Sequence, residues 1–258
     1  MQHSTQLVLT RPRLCILHTQ AVFFIVLLSL ICVSCTDSEP PTLDATSKDA
    51  MDQSIDAIKA TLPNDRRAEF EDALTTISQA EAAKSDAPFG LLIDLDGLDR
   101  RTRDRINGLT ADEIFAEAKE AKKILDLQSL KAKASSVTSQ LQTLRSQTEL
   151  YYYEYDDQYP DLVSSWEPYI EETQHNGRTY GPYLHKPSQN PFTPDKANNT
   201  RVIAWKDTPT SDAAWQYNRE TGEVRAIVPH DIAVLTGLVP ESHTVGGQHP
   251  DIMTVKTN

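Results

Sequence analysis

The stretch from Leu109 to Pro160 constrains the fold more than any other, because no glycine or proline lies between those two residues. With nothing to break the backbone ladder, one helix can run through most of it. Its start is marked by Thr110 and Glu113. They form a capping box in which the Thr110 hydroxyl and the Glu113 carboxylate each satisfy an orphan backbone N–H. Ile114, Ala118, Ala121 and Leu125 follow in a 4-3-4 rhythm. Leu130, Ala134, Val137, Leu141, Leu144, Thr148, Tyr151 and Tyr155 form a second series. Carried forward by heptads, the first series reaches position 128 rather than 130. Two residues at about 100° each turn the apolar stripe by roughly 200°. The two halves therefore pack on different things. A unit boundary is expected near Asp126 to Ser129, inside a helix or at a kink.

Residues 46–126 read as a helical module. Met51, Ile55, Ile58 and Leu62 form one apolar stripe. Pro63 and Asn64 break it, and Asn64 or Asp65 can cap a second helix with the stripe Phe70, Leu74 and Ile77. Residues 84–108 are mixed, with Pro88, Gly90, Gly97 and Gly108 as punctuation. Beyond Pro160 the pattern changes to strands: Thr200–Lys206, Ala213–Asn218 and Glu223–Val228. Arg219 to Gly222 joins the last two as a hairpin turn, with Gly222 available for a positive φ. Residues 160–200 are rich in proline and asparagine and are expected to be mostly loop. Residues 233–258 have weak periodicity and are expected to be a poorly ordered tail. The fold class expected from this pattern is α+β, with a helical module followed by a unit spanning residues 127–232.

The amino-terminal end adds an address. Arg11 and Arg13 precede an apolar run from Ala21 to Ser34, no acid occurs before Asp37, and Cys35 follows the small residues Val33 and Ser34. The order of cationic, apolar and small segments predicts a secretory signal over residues 1–34. The run is short of the about 20 apolar residues that a transmembrane helix needs. The pattern resembles a bacterial lipobox, with Cys32 where Leu is usual. The resemblance implies lipidation of the Cys35 thiol and a membrane partner held through that lipid. An uncleaved anchor over His18 to Cys35 is the other reading. Residues 35–45 are polar and contain proline, and they read as a tether that holds the chain off the bilayer. Thr36 after the cysteine favours the outer over the inner membrane under the sorting rule of well-studied Gram-negative bacteria.

Composition excludes several functions. Cys15, Cys32 and Cys35 are the three cysteines, so nothing after Cys35 can form a disulfide or a thiolate metal site. All 37 acids and 23 of the 25 basic residues follow Ser34, leaving a balance of −14 that disfavours nucleic acid as a partner. Asp94, Asp96 and Asp99 surround Gly97, but the glycine sits too early for a calcium loop and Arg105 stands where a Glu is needed. An acidic turn is the plainer reading. His3, His18, His175, His185, His230, His243 and His249 show no metal-binding spacing. No nucleophile elbow or phosphate loop is present, so no cofactor, metal or catalytic residue is expected. Tyr151, Tyr152, Tyr153, Tyr155 and Tyr159, with Trp166 and Tyr169, form an aromatic cluster. Tyr151 and Tyr155 continue the helix stripe and belong to a core. Tyr152 and Tyr153 fall off the stripe and are candidate binding residues for glycan or peptide.

Two longer resemblances add to this reading. Gln140 to Ser146, Glu149–Leu150–Tyr151, Gln158–Tyr159–Pro160, Gly181–Pro182–Tyr183–Leu184, Asn190–Pro191–Phe192, Trp215 to Asn218 and Thr221–Gly222–Glu223 follow one another in a characteristic order. This segment resembles the globular part of a type II secretion pseudopilin of the protein G kind. The resemblance implies a long helix packed on a small antiparallel sheet, and partners in a secretion or pilus-like machine. Two departures from that family stand out. The apolar run here carries no acid and lies about 100 residues from the head, so a filament subunit of the usual design is not expected. The family's calcium loop is also not recognisable. The segment from Leu43 to Lys119 is similar to a family of small bacterial lipoproteins of unknown function. It carries Asp49–Ala50–Met51, Ile55 to Ile58, Arg67 to Leu74 and Asn107 to Ile114. The expected function is that of a membrane-anchored, non-enzymatic structural or interaction protein. The alternatives are an envelope module that binds glycan or peptide through its tyrosines, and a hydrolase whose site is not legible in the sequence.

Overall fold

The computed structural model describes residues 39–84, 100–247 and 249–256. Cys35, the residues before it, and the acidic turn around Gly97 lie outside the described residues. The chain has an α+β fold in which one helix is shared by two cores.

The first core is helical. Helix α2 (Asn64–Lys84) pairs with the long helix α4 (Ala111–Glu154), α1 (Lys48–Thr61) joins their core through the stripe expected for it, and α3 (Arg100–Ile106) leads into α4. Ser47 caps α1 by accepting from Ala50 N at 3.1 Å. Ile58, Phe70, Ile77, Ile106, Ile114 and Ala121 have no exposed surface and meet in one cluster. Arg66 lies over the Phe115 ring, its guanidinium carbon 4.0 Å from the ring centre. The tether is shorter than expected. Leu43 is 1 % exposed and belongs to this core, and its N–H donates to Leu109 O at 2.8 Å. The apolar Leu43 and Ala45 fit a gap beside the α3–α4 turn, so residues 42–45 belong to the module and not to the spacer.

Helix α4 has 44 residues, about 66 Å at roughly 1.5 Å each. Both halves of the capping box at Thr110 and Glu113 are formed. The helix is continuous through Asp126 to Ser129, and the exchange between cores takes place there. Ile124 and Leu125 pack on the first core, and Leu130 packs on the second.

The second core lies between α4 and a four-stranded sheet. Strands β1 (Thr173–His175) and β2 (Arg178–Tyr180) form a separate hairpin after the short helix α5 (Glu167–Ile170). The main sheet has the order β3 (Val202–Ala204), β4 (Trp215–Tyr217), β5 (Val224–Pro229) and β6 (Ile252–Val255). β4 and β5 pair antiparallel as the expected hairpin, with Gly222 at φ 74°. The sheet is mixed rather than wholly antiparallel, because β3 runs parallel to β4 and β6 parallel to β5. The tail is the second correction. Residues 230–235 form helix α6, and Ile252–Val255 supplies a sheet strand whose Ile252 is 2 % exposed. Its alternation is too brief to stand out in the sequence, but the open edge of β5 gives it a ladder to join.

The sheet's two faces alternate with period two. Trp215, Tyr217, Val224, Ala226, Val228 and Ile252 face Val137, Leu141 and Leu144 of α4. Ile203, Ala213, Ile227 and Val255 form a small cluster on the opposite side. Trp205 lies outside the core beneath α4, with the Arg225 guanidinium carbon 3.9 Å from its ring centre.

Candidate functional site

The last turn of α4 gathers the tyrosines, and the packing divides them into two sets. Tyr151 and Tyr155 stack with centroids 3.9 Å apart and planes 5° apart, as residues four apart on one helix face can. Tyr169 is fully buried beneath them, and its hydroxyl meets that of Thr148 at 2.5 Å. Tyr183 N and Leu184 N both donate to Tyr169 O at 2.8 Å, which draws the Gly181–Leu184 loop onto this stack. The Tyr183 hydroxyl donates to Glu154 Oε2 at 2.5 Å. Burial raises the Tyr183 phenol, and the neighbouring Glu154 carboxylate raises it further. Burial also raises Tyr169. Both rings keep their protons and serve as structure.

The helix ends in a built turn. Asp156 and Asp157 adopt positive φ of 52° and 61°, which acidic side chains tolerate better than most. The Asp156 carboxylate meets His175 Nε2 at 2.9 Å and accepts from Asn176 Nδ2 at 2.8 Å, and these bonds hold it below the usual range. The β1–β2 hairpin is thereby fastened to the helix end, and His175 stacks on Tyr155.

The second set faces outward. Tyr152 stacks on Tyr159 with centroids 4.5 Å apart, and Tyr153 is 78 % exposed. Tyr152, Asp157, Gln158, Tyr159, Arg219 and Glu220 line an open cleft of about 410 Å³. Partial desolvation and the nearby Asp157 raise the Tyr152 phenol, so it remains a hydroxyl. Gly222 sits beneath Tyr159, where an added Cβ would lie 2.4 Å from the ring. Arg219 is held by Asp161 Oδ2 at 2.9 Å. The cleft thus joins the helix end to the β4–β5 turn. Tyr152 lines it directly, while Tyr153 stands beside it. Arg219 and Glu220 are among the cleft residues the sequence reading missed. Hairpin-turn chemistry was their only signal, and it does not say what the turn folds against.

Histidines distant in sequence also converge. His230 and His243 have ring centroids 6.2 Å apart, and His243 and His249 6.1 Å. His249 Nδ1 accepts the N–H groups of Asp251 and Ile252 at 3.2 Å, which leaves the proton of the neutral ring on Nε2 and no lone pair there for a metal. Among the described residues no group of three or more His, Cys, Asp or Glu is arranged to hold a metal ion. Among them, too, no helix is long and apolar enough to cross a membrane.

Residues 21–123 match the model of a family described only as a family of unknown function (DUF6694). That interval runs from the apolar segment at Ala21 through nearly all of the helical module and stops before the head. Neither a curated protein nor a solved structure matches the chain.

Proposed function

We propose that this chain is a non-enzymatic interaction protein of the cell envelope, tethered through lipid on Cys35 and presenting a pilin-like head to components of a secretion or pilus-like machine. One observation carries the reading. Tyr152, Tyr159 and Arg219 form an open cleft, with Tyr153 exposed beside it, at the end of α4 remote from the helical module. Tyrosine and arginine dominate binding energy at protein interfaces, because each joins a large apolar area to directional hydrogen bonds. The helix that places them is supported by both cores, so the cleft is preformed. The Tyr152 phenol is raised above its ordinary value, which suits recognition better than proton transfer.

The test is cross-linking in native membranes followed by identification of the captured proteins. Envelope-machine components should be captured by the wild-type chain and lost from the Tyr152→Ala, Tyr153→Ala double variant, while Ser146→Ala retains them. Cys35→Ser should abolish lipid labelling and release or stall the protein. Equal capture by both variants would remove the cleft from the account. A second reading, a glycan- or peptide-binding module, is favoured by the stacked Tyr152–Tyr159 pair alone. It predicts retention on isolated cell wall that the double variant loses.

A further inference from the structure

We propose a second recognition site on this chain, a groove for an acidic peptide segment held by Lys133, Lys186 and Lys196. It rests on residues that the tyrosine cleft does not use. Lys133 lies nineteen residues before Tyr152 on α4, about 28 Å away along the axis.

The groove has a volume of about 1060 Å³ and runs between one face of α4 and the loop over residues 186–199. Leu130, Lys133, Ser136 and Gln140 line the helix side. Among the described residues no acid lines it, although the chain as a whole carries a net charge of −12. Among the described residues Lys133, Lys186 and Lys196 make no ion pair. Three cations gathered without counter-ions in an acidic protein mark a place for negative charge.

The loop wall is built, not slack. Asn190 is fully buried, and its Nδ2 donates to Ala214 O at 2.9 Å and Ile227 O at 2.8 Å, which pins the loop across two strands. Asn190 Oδ1 accepts from Phe192 N at 3.0 Å, and Trp215 Nε1 donates to Ser188 O at 2.9 Å. Pro187, Pro191 and Pro194 fix φ along the same wall. Thr193 lines the groove, is 7 % exposed, and its hydroxyl has no partner among the described residues. Buried hydroxyls are ordinarily bonded, so this one is a group held ready for a ligand.

The chemistry selects among anions. The volume far exceeds one phosphate, and the lysines come from separated positions on two walls. Phe192 is buried, so the groove offers no open aromatic face on which a sugar or a nucleobase would stack. It offers the amides of Gln140, Gln189 and Asn199, which donate and accept as peptide groups do, beside proline faces. Clustered carboxylates on an extended peptide satisfy all of these features.

The test is fluorescence anisotropy of a fluorescein-labelled octaglutamate peptide with the full chain in detergent. Exposed lysine–carboxylate pairs are individually weak, so the decisive variant replaces all three. Lys133→Gln, Lys186→Gln, Lys196→Gln together should weaken binding at least tenfold with an unchanged thermal unfolding midpoint, while Lys206→Gln leaves it as in the wild type. Thr193→Val should weaken it about threefold. Binding should fall with added salt. Undiminished binding by the triple variant overturns the proposal, as does failure of the wild-type chain to bind the peptide. Displacement by inorganic phosphate or by a sulfated oligosaccharide at equal charge overturns the peptide assignment.

Discussion

The two cores that share α4 are held together by different means. The helical module is joined by apolar stripes and by ion pairs, Lys59–Glu71 and Arg66–Asp112 on its surface and a more buried cluster at Arg105. Arg105 bridges Glu81 and Glu117, and Lys84 Nζ adds a bond to Glu81 Oε1 at 2.7 Å. The head is joined by side chains that reach remote backbone. Asn190 bonds to β4–β5, Trp166 Nε1 to Thr200 O at 2.8 Å, and Arg145 Nη2 to Val224 O at 3.1 Å and Asp251 Oδ1 at 2.7 Å. A helix satisfies its own backbone, so helices need only faces that fit. Short strands and long loops leave carbonyls open, and buried side chains must reach them.

The largest effects should come from truncation within each core. Leu144→Ala should destabilise the head by about 2–5 kcal/mol, and Ile77→Ala the module by a similar amount. Calorimetry distinguishes a private effect from a shared one. We expect each variant to move its own transition. A common shift of both transitions would show that α4 fuses the two cores into one cooperative unit.

Arg105→Ala sharpens the contrast from the module's side. It leaves Glu81, whose side chain is 8 % exposed, without its guanidinium partner. Lys84 still bonds Glu81, so the loss should be about 1–3 kcal/mol rather than that of a wholly unpaired buried charge. The cluster also sets a pH dependence. Burial raises the Glu81 carboxyl, but bonds and charges from Lys84 and Arg105 outweigh it, so the group is held below its ordinary 4.5. A depressed acid stabilises the fold fully above the unfolded value and loses that contribution as pH falls through the folded one. The module should therefore weaken as pH drops below about 4.5, and Glu81→Gln should flatten that part of the curve. An unaltered curve in Glu81→Gln would assign the acid sensitivity elsewhere.

Asn190→Ala tests the head's corresponding device. It leaves Ala214 O and Ile227 O without their buried donor and should cost about 1–3 kcal/mol. Asn190→Asp should cost no less, because a carboxylate offers no N–H. A loss below 0.5 kcal/mol, which is the ordinary range for surface substitutions, would mean that the loop is fastened by other contacts. The smallest effect belongs to the shared helix. Thr110→Ala removes the cap and should cost about 1 kcal/mol, and Gln142→Ala on the exposed face should be neutral. A loss at Gln142 equal to that at Leu144 would reverse the assigned helix face.

What could be read in advance was periodic or local. The stripes of α1 and α2, the Thr110–Glu113 box, the turn of phase between Leu125 and Leu130, and the β4–β5 turn at Gly222 all depend on residues within a few positions of one another. Of the two candidate tyrosines, Tyr152 lines a cleft and Tyr153 is exposed, as their place off the stripe required. Strand β6, the burial of Leu43, the side of the sheet that Trp205 takes, the Arg219 rim and the lysine groove were not legible. Each depends on which distant segment arrives next to it. A residue's own spacing records the face it presents along a helix or strand. The identity of what meets that face is decided only when the chain closes, because the open sheet edges, unbonded carbonyls and gaps that recruit such residues do not exist before the fold does.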